Sequence, residues 1–427
     1  MENAGDHDAP GQFGLWKKHA ERDWPALTEQ EIASVLAPAS PDSAATGDRH
    51  PSPSCDKTAP FWHSERPFSA AALIVRQGAP DVIVKRHHHG LRSRETLQTE
   101  HALIRHLHGR GLPVALPLAL ANGEDVTCED PWVYEAFPRL SGRDLYRDRM
   151  SWDPYFSVAQ ARAAGQALAR YHDAATGFEA PDRADTPLVS ALAPLLGTQP
   201  ESALRRWVAA QPALEGALDR HDPHGRWLAA LAPHLHRAAQ KPDSFPSLWG
   251  HGDWHGSNLI WPDEIAGGGT DAAPHPDADI VAPCPFDFGM ADRTTRPFDI
   301  AVALERSMFG WLSPEAGSYR VEWEQIDAFL SGYDRLWPLS GRLCKAIATM
   351  LPLAHVTFAC SEIWYYDTLL GREDDARTAL EDYLIAHAAW FSSPDGRAAC
   401  DHIARWEARS QKAHRQDAPP GKGRFAG

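Results

Sequence analysis

A chain of 427 residues with 43% hydrophobic content can bury a sizeable core and divides into two or three compact units, which excludes a single small domain. With 42 Lys and Arg against 57 Asp and Glu the formal net charge is −15, a field that repels polyanions, so nucleic acid is not an expected partner. The six cysteines (Cys55, Cys128, Cys284, Cys344, Cys360, Cys400) are scattered without a CxxC pair, and the N-terminal MENAGDHDAPGQFG has neither the basic nor the apolar part of a secretion signal. No run approaches the roughly 18 consecutive apolar residues of a bilayer span, so the expectation is a soluble, cytoplasmic protein with no membrane partner.

In chain order, ALTEQEIASVLA at 26 to 37 predicts a short helix, with Thr28 and Glu31 as a capping box and Ile32, Val35 and Leu36 at helical spacing. Pro38 to Ala59 is rich in Pro, Ser, Asp and Ala and reads as a linker, because it has too little apolar surface to offset the entropy of ordering. Two apolar runs, Ala70 to Val75 and Val82 to Val84, flank QGAPD and predict an antiparallel hairpin whose second strand ends at Lys85. A helix follows from about Ser93 to Gly109, with Leu97, Leu103, Ile104 and Leu107 on one arc and Glu100 at its centre. A carboxylate on a packing face needs a partner, and Lys85 is the natural one, whereas Glu95 lies on the opposite, solvated side.

WVYEAF predicts a further strand that Pro138 interrupts, and the punctuation fits a hinge between lobes. From Ser157 the composition turns helical, with windows at 157 to 175, 201 to 218, 224 to 239, 323 to 334, 342 to 368, 371 to 391 and 397 to 409. The tail QKAHRQDAPPGKGRFAG is polar and rich in Gly and Pro, so it is expected to be disordered.

The chemistry concentrates between Trp249 and Asp299. HGDWHGSN sets Asp253 five residues before Asn258, and PFDFG sets Asp287 after a short apolar approach. Phosphoryl transfer needs a carboxylate and an amide to hold the metal that bridges the phosphates, and a second carboxylate at the acceptor hydroxyl. The order Lys85, Glu100, hinge, Asp-x4-Asn, Asp-Phe-Gly is also that of kinase catalytic and metal loops. His251 reads as a brace for its loop, and the tract His87, His88, His89 alternates across a strand, which argues against a shared metal.

On these motifs the sequence resembles the aminoglycoside phosphotransferase and choline kinase-like family over about residues 60 to 390. The resemblance implies an α+β, protein kinase-like two-lobed fold: an N-terminal helix and flexible linker at 1–59, a sheet-plus-helix N-lobe at 60–136, a mainly helical C-lobe at 137–410 and a disordered tail at 411–427. It implies an ATP-dependent phosphotransferase acting on an alcohol group, with GTP not excluded as donor and Mg²⁺ as cofactor. Carried over position by position, Asp253 would be the catalytic base, Asn258 and Asp287 would bind magnesium, Lys85 would contact the nucleotide phosphates with Glu100 fixing it, and Glu135 and Phe137 would meet the adenine edge. His255, Glu362 and Asp367 are candidate acceptor contacts, the acidic and aromatic run CSEIWYYDTLL suiting a cationic hydroxylated molecule.

Asp287 is followed within twelve residues by the helix start RPFDIAVAL, which leaves no room for an activation loop and argues for a small acceptor, in a monomer or homodimer. No GxGxxG precedes Lys85, where HSERPFSAA stands instead, and the insert from Pro262 to Pro283 separates the two metal-ligand candidates. The alternatives are a catalytically silent nucleotide- or ligand-binding module of the same fold and a metal-dependent phosphohydrolase.

Overall fold

The computed structural model describes residues 23–36, 60–64, 68–76, 78–147, 149–181, 183, 189–239, 245–263, 281–311 and 319–407. The predicted linker, the tail and most of the insert lie outside the described residues. Within them the architecture is α+β as expected, a small antiparallel sheet with one long helix beside a mainly helical lobe.

The sheet runs β1 (Pro60–His63), β2 (Ser69–Ile74), β3 (Val82–His88), β5 (Trp132–Pro138), β4 (Thr127–Glu129), in that spatial order and antiparallel throughout. The predicted hairpin is β2–β3, with Ile74 opposite Val82 and Ala71 opposite Lys85. Alternation sends Ala70, Ala72, Ile74, Val82, Val84, Tyr134 and Ala136 to one face, where they pack with Leu27, Ile32 and Val35. The last three belong to helix α1 (Glu29–Val35) and its approach, and the capping box of Thr28 and Glu31 is made as the sequence predicts. On the other face lies α2 (Arg94–Gly109), capped by Ser93 with Thr96 in the reciprocal position, its Glu100 buried and Glu95 exposed.

Pro138 ends β5 because it has no N–H to continue the ladder, and the chain passes to the helical lobe. That lobe comprises α3 (Val158–Ala174), α4 (Pro200–Ala209), α5 (Pro212–His221), α6 (Arg226–Ala239), α7 (Arg296–Met308), α8 (Trp323–Asp334), α9 (Gly341–Met350) and α10 (Val356–Trp364), with short helical segments to Ala404. The window predicted at 201 to 218 breaks in two where Pro212 starts a new helix. That at 342 to 368 is punctuated by the tight turn Leu351–Leu353 around Pro352 and ends in the wide π turn Tyr365–Leu369. The helical stretch Gly341–Leu369 is long and apolar enough to cross a bilayer by composition, yet its most apolar window is 83% buried inside the protein, as a core helix would be.

Two helices of the lobe cross with their backbones in contact. A Cβ on Gly165 of α3 would lie 2.0 Å from the Phe329 carbonyl oxygen, and one on Gly332 of α8 would lie 2.0 Å from that of Arg162. Gly165→Ala is therefore expected to lower stability by about 1–3 kcal/mol, read as a lower urea midpoint at unchanged m-value.

Candidate active site

Two short ribbons bring the two halves of the chemistry-bearing stretch together. β6 (Ser247–Gly250) pairs with β9 (Asp292–Thr295), and β7 (Leu259–Ile260) pairs with β8 (Cys284–Pro285). Between them the 252–253 turn and the Phe286–Asp287 turn are linked where the Phe286 N–H donates to the Asn258 carbonyl at 3.0 Å. Gly252 takes φ +73°, and a Cβ there would meet the Met290 carbonyl at 2.3 Å, so both conformation and space call for glycine.

Asp299, in the first turn of α7, holds this turn from below. Its carboxylate accepts the backbone N–H groups of His251 and Gly252, each at 2.9 Å, and the Nε2 of His172 at 2.9 Å. His172 reaches the Tyr333 hydroxyl through Nδ1 at 2.7 Å, so α3, α7 and α8 all brace the loop. Burial alone would raise the Asp299 pKa, but the His172 ring and the two amides outweigh it and hold the carboxyl below its ordinary value. Asp299→Ala is expected to leave two buried amides unpaired, costing about 2–4 kcal/mol and releasing the loop, which hydrogen exchange at residues 250–254 would report. His251 is the brace the sequence predicts: its Nδ1 accepts the Asp253 N–H at 3.3 Å and its Nε2 donates to the Phe286 carbonyl at 3.1 Å.

Asp253 stands at the top of this platform. The Asn258 amide nitrogen donates to its Oδ2 and to its backbone carbonyl, both at 2.9 Å, and His255 Nε2 lies 3.3 Å from Oδ2. From the opposite side Arg306 of α7 brings Nε to 3.3 Å from Oδ1, its guanidinium packed 3.8 Å over the Phe358 ring. Burial opposes ionisation of Asp253, but His255 and Arg306 together hold its carboxyl below the usual carboxylate range. The group is an anion at any physiological pH.

Across the cleft, Lys85 Nζ is 3.1 Å from Asp287 Oδ2. Desolvation works against the lysine's charge, and Asp287 more than restores it, leaving its pKa raised. The expected Lys85–Glu100 pair is not made. Glu100 instead pairs with Arg183 and, at 3.4 Å, with Arg92, and both arginines donate to the Gly289 carbonyl, at 2.5 and 2.6 Å. The physical reason is charge count: two buried guanidiniums next to one carboxylate take it, and Lys85 turns to the nearest remaining anion. Glu100 thus ties α2 to the backbone just after Asp287.

Lys85, Glu100, Glu135, Phe137, Asp253, His255, Asn258 and Asp287 all line one cleft of about 320 Å³ between the lobes. Its walls on the sheet side include Leu73 and Ile83, with Ile260 and Phe286 facing them from below.

Residues 66–269 match the sequence profile of a family described as the phosphotransferase enzyme family. Over that stretch the chain is similar to the phosphotransferase enzyme family. The matched region takes in Lys85, Glu100, Asp253 and Asn258 and stops before Asp287. A protein of Deinococcus radiodurans, described as uncharacterised, is 28% identical over 310 residues, 70% of this chain and 73% of that one. Among solved structures, an amicoumacin kinase, hAmiN, in complex with AMP-PNP, Ca²⁺ and Ami is 16% identical over 80% of this chain and 86% of its own, with a TM-score of 0.47. An aminoglycoside phosphotransferase from Alicyclobacillus acidocaldarius is 13% identical over 84% and 94% of the two chains, with a TM-score of 0.44.

The other predicted site residues divide sharply. Glu135 lies opposite Lys85 in the sheet, and its carboxylate is spent on two buried histidines, His87 Nε2 at 3.0 Å and His101 Nε2 at 2.8 Å. Phe137 lies opposite Ile83. Two acceptor candidates are not among the residues lining the cleft. Asp367 is taken by Arg220 and by His221 at 2.7 Å, because the π turn directs it toward α5. Glu362 is buried on α10 with Oε2 lacking a hydrogen-bond partner, and burial, against the pull of Arg306, pushes its pKa up to about 8. Burial thus favours its neutral form, which is poorly suited to recognising a cation by charge.

That shift has a pH signature. A carboxyl with a raised folded-state pKa contributes stability that is full below its unfolded value near 4.5 and is lost as pH rises to about 8. Relative to Glu362→Gln, the unfolding free energy of the native protein is expected to fall by a few kcal/mol between about pH 5 and 8 and then level off, in urea titrations across that range.

Sequence reasoning missed Arg306, His172, Arg92 and Arg183. The signal for Arg306 was a Glu-Arg pair inside the apolar helix DIAVALERSM, which is buried on every side. Asn258 and Asp287 offer one amide oxygen and one carboxylate, hard donors that fit magnesium shared with substrate phosphates. The Asp287 side chain is 43% exposed to the cleft, so it is open to a ligand. Among the described residues no group of three or more His, Cys, Asp or Glu is arranged to hold a metal by itself.

Proposed function

We propose that this protein is a small-molecule kinase that transfers the γ-phosphate of ATP to a hydroxyl of a small acceptor. One observation carries the reading: a cationic lysine paired to Asp287 and an ionised Asp253 bound to Asn258 face one interlobe cleft. The lobes at 60–136 and 137–410 then serve nucleotide and acceptor respectively. Phe137 and Ile83 flank an apolar slot for the base, with Glu135 in its wall, and Lys85 neutralises phosphate charge.

Asn258 and Asp287 would hold Mg²⁺, which when bound screens the charge on the phosphates. Lys85 is free to leave Asp287 for the phosphates once that carboxylate has another cation. Asp253, kept ionised by Arg306 and His255, orients the acceptor hydroxyl and takes its proton. Its depressed pKa makes it a weak base, which suits a loose transition state where positioning outweighs proton abstraction. His255, within 3.3 Å of Asp253 and part of the cleft wall, would contact the acceptor.

Only eight residues separate Asp287 from the start of α7, which favours a small acceptor over a protein substrate. Free thiols at Cys128, Cys284, Cys344, Cys360 and Cys400 are in keeping with a cytoplasmic site of action. The test is an acceptor screen by ADP or GDP release with MgATP and MgGTP, over amino alcohols, aminoglycosides and sugars. Acceptor-stimulated release that Asp253→Asn abolishes supports the reading, and nucleotide-independent hydrolysis of phosphoesters would sink it.

A further inference from the structure

The segment ahead of α1 and the residue that leads into β2 meet at Tyr365. Asp23 has only 2% of its side chain exposed; it accepts the Tyr365 hydroxyl at 2.9 Å and pairs with Arg372, both from the helical lobe. Phe68 has φ +74°, a left-handed conformation costly for a bulky residue, and such strain persists only where the surroundings over-determine it. Those surroundings are two rings met edge-on, Phe358 at 6.4 Å and Tyr365 at 4.9 Å, and it is the Tyr365 hydroxyl that Asp23 holds.

The next residue fastens the sheet lobe to the same point. Trp24 stacks on His88 at 5.1 Å and meets Trp132 and Tyr365 edge-on at 5.5 and 6.4 Å. Further along, Arg86 binds Glu31 and the Pro25 carbonyl, and the Tyr134 hydroxyl donates to Glu31 at 3.0 Å. The stretch 23–36 is thus fixed to the sheet along most of its length and to the helical lobe at its start.

Phe68 and Ser69 line the cleft together with Lys85, Asp253 and Asp287. A glycine-rich turn lets backbone amides close on phosphates by its own adaptability, and this chain has none before Lys85. We propose that Asp23 is a positioning residue for phosphoryl transfer, holding the Phe68–Ser69 backbone over the nucleotide phosphates at a fixed lobe spacing. The proposal rests on the nucleotide reading of the cleft given above. It gives the N-terminal segment a role in the reaction and replaces glycine flexibility with a tertiary anchor.

The test uses the full chain with Asp23→Ala and Tyr365→Phe, the second keeping the ring against Phe68 and removing only the hydroxyl. Losing a buried hydrogen bond to a charged group is expected to raise KM for MgATP about tenfold in Asp23→Ala and severalfold in Tyr365→Phe, with kcat moved less. The double variant should fall short of the product of the two, because both act through one contact. In nucleotide-free protein, deuterium uptake at residues 68–74 should rise in both variants. Unchanged KM in a folded Asp23→Ala overturns the proposal, whether or not exchange rises. If Asp23→Ala does not fold, unchanged KM and exchange in Tyr365→Phe overturn it. A wild-type protein that shows no MgATP binding would instead overturn the kinase reading, and the exchange arm would still decide whether Asp23 pins Phe68.

Discussion

Asp253→Asn is expected to lower kcat by about 10²–10⁴-fold while leaving MgATP-induced thermal stabilisation in place. The amide preserves volume and can still meet Asn258, so the nucleotide side of the cleft is little disturbed. What disappears is the anion that would orient and deprotonate the acceptor. The same change leaves Arg306 buried and facing a neutral group, so stability should also drop, by about 1–3 kcal/mol. Turnover must therefore be measured well below the variant's own melting temperature. Turnover equal to wild type in folded protein would remove Asp253 from the chemistry.

Asp287→Ala is expected to act on the other half of the site. Nucleotide-dependent stabilisation should lose its magnesium requirement, and KM for MgATP should rise about 10–100-fold. Lys85 loses its 3.1 Å partner in the same step, so the free protein should bind metal-free nucleotide no worse than before. Melting curves with ATP, with and without magnesium, separate the two effects. Magnesium enhancement undiminished in the variant would take Asp287 out of the metal site.

Features set by near neighbours in sequence were legible before the structure. The Thr28–Glu31 capping box, the β2–β3 hairpin around QGAPD and the strand stop at Pro138 each follow from a few adjacent residues. The juxtaposition of Asp253, Asn258 and Asp287 was legible because all three fall in one stretch that folds back on itself through β6–β9 and β7–β8. Partner choice across the fold was not. That Glu100 needs a cation follows from its place on α2, but the sequence offers 42 lysines and arginines, and only the fold brings Arg92 and Arg183 nearer than Lys85. Glu362 shows the same limit: helical spacing places it on a face without saying that the face is dry, and dryness is what raises its pKa.

The pairing of β7 with β8 has a practical corollary. Leu259 faces Pro285 and Ile260 faces Cys284, so the chain leaves and re-enters this ribbon at neighbouring points. The ends of whatever lies between are already joined, and each doubling of its length costs only about 0.6 kcal/mol in closure entropy. The junction after Pro262 is therefore where a reporter domain could be spliced into the chain. Because Asn258 and Asp287 flank the ribbon, such a domain would be anchored within a few residues of the cleft.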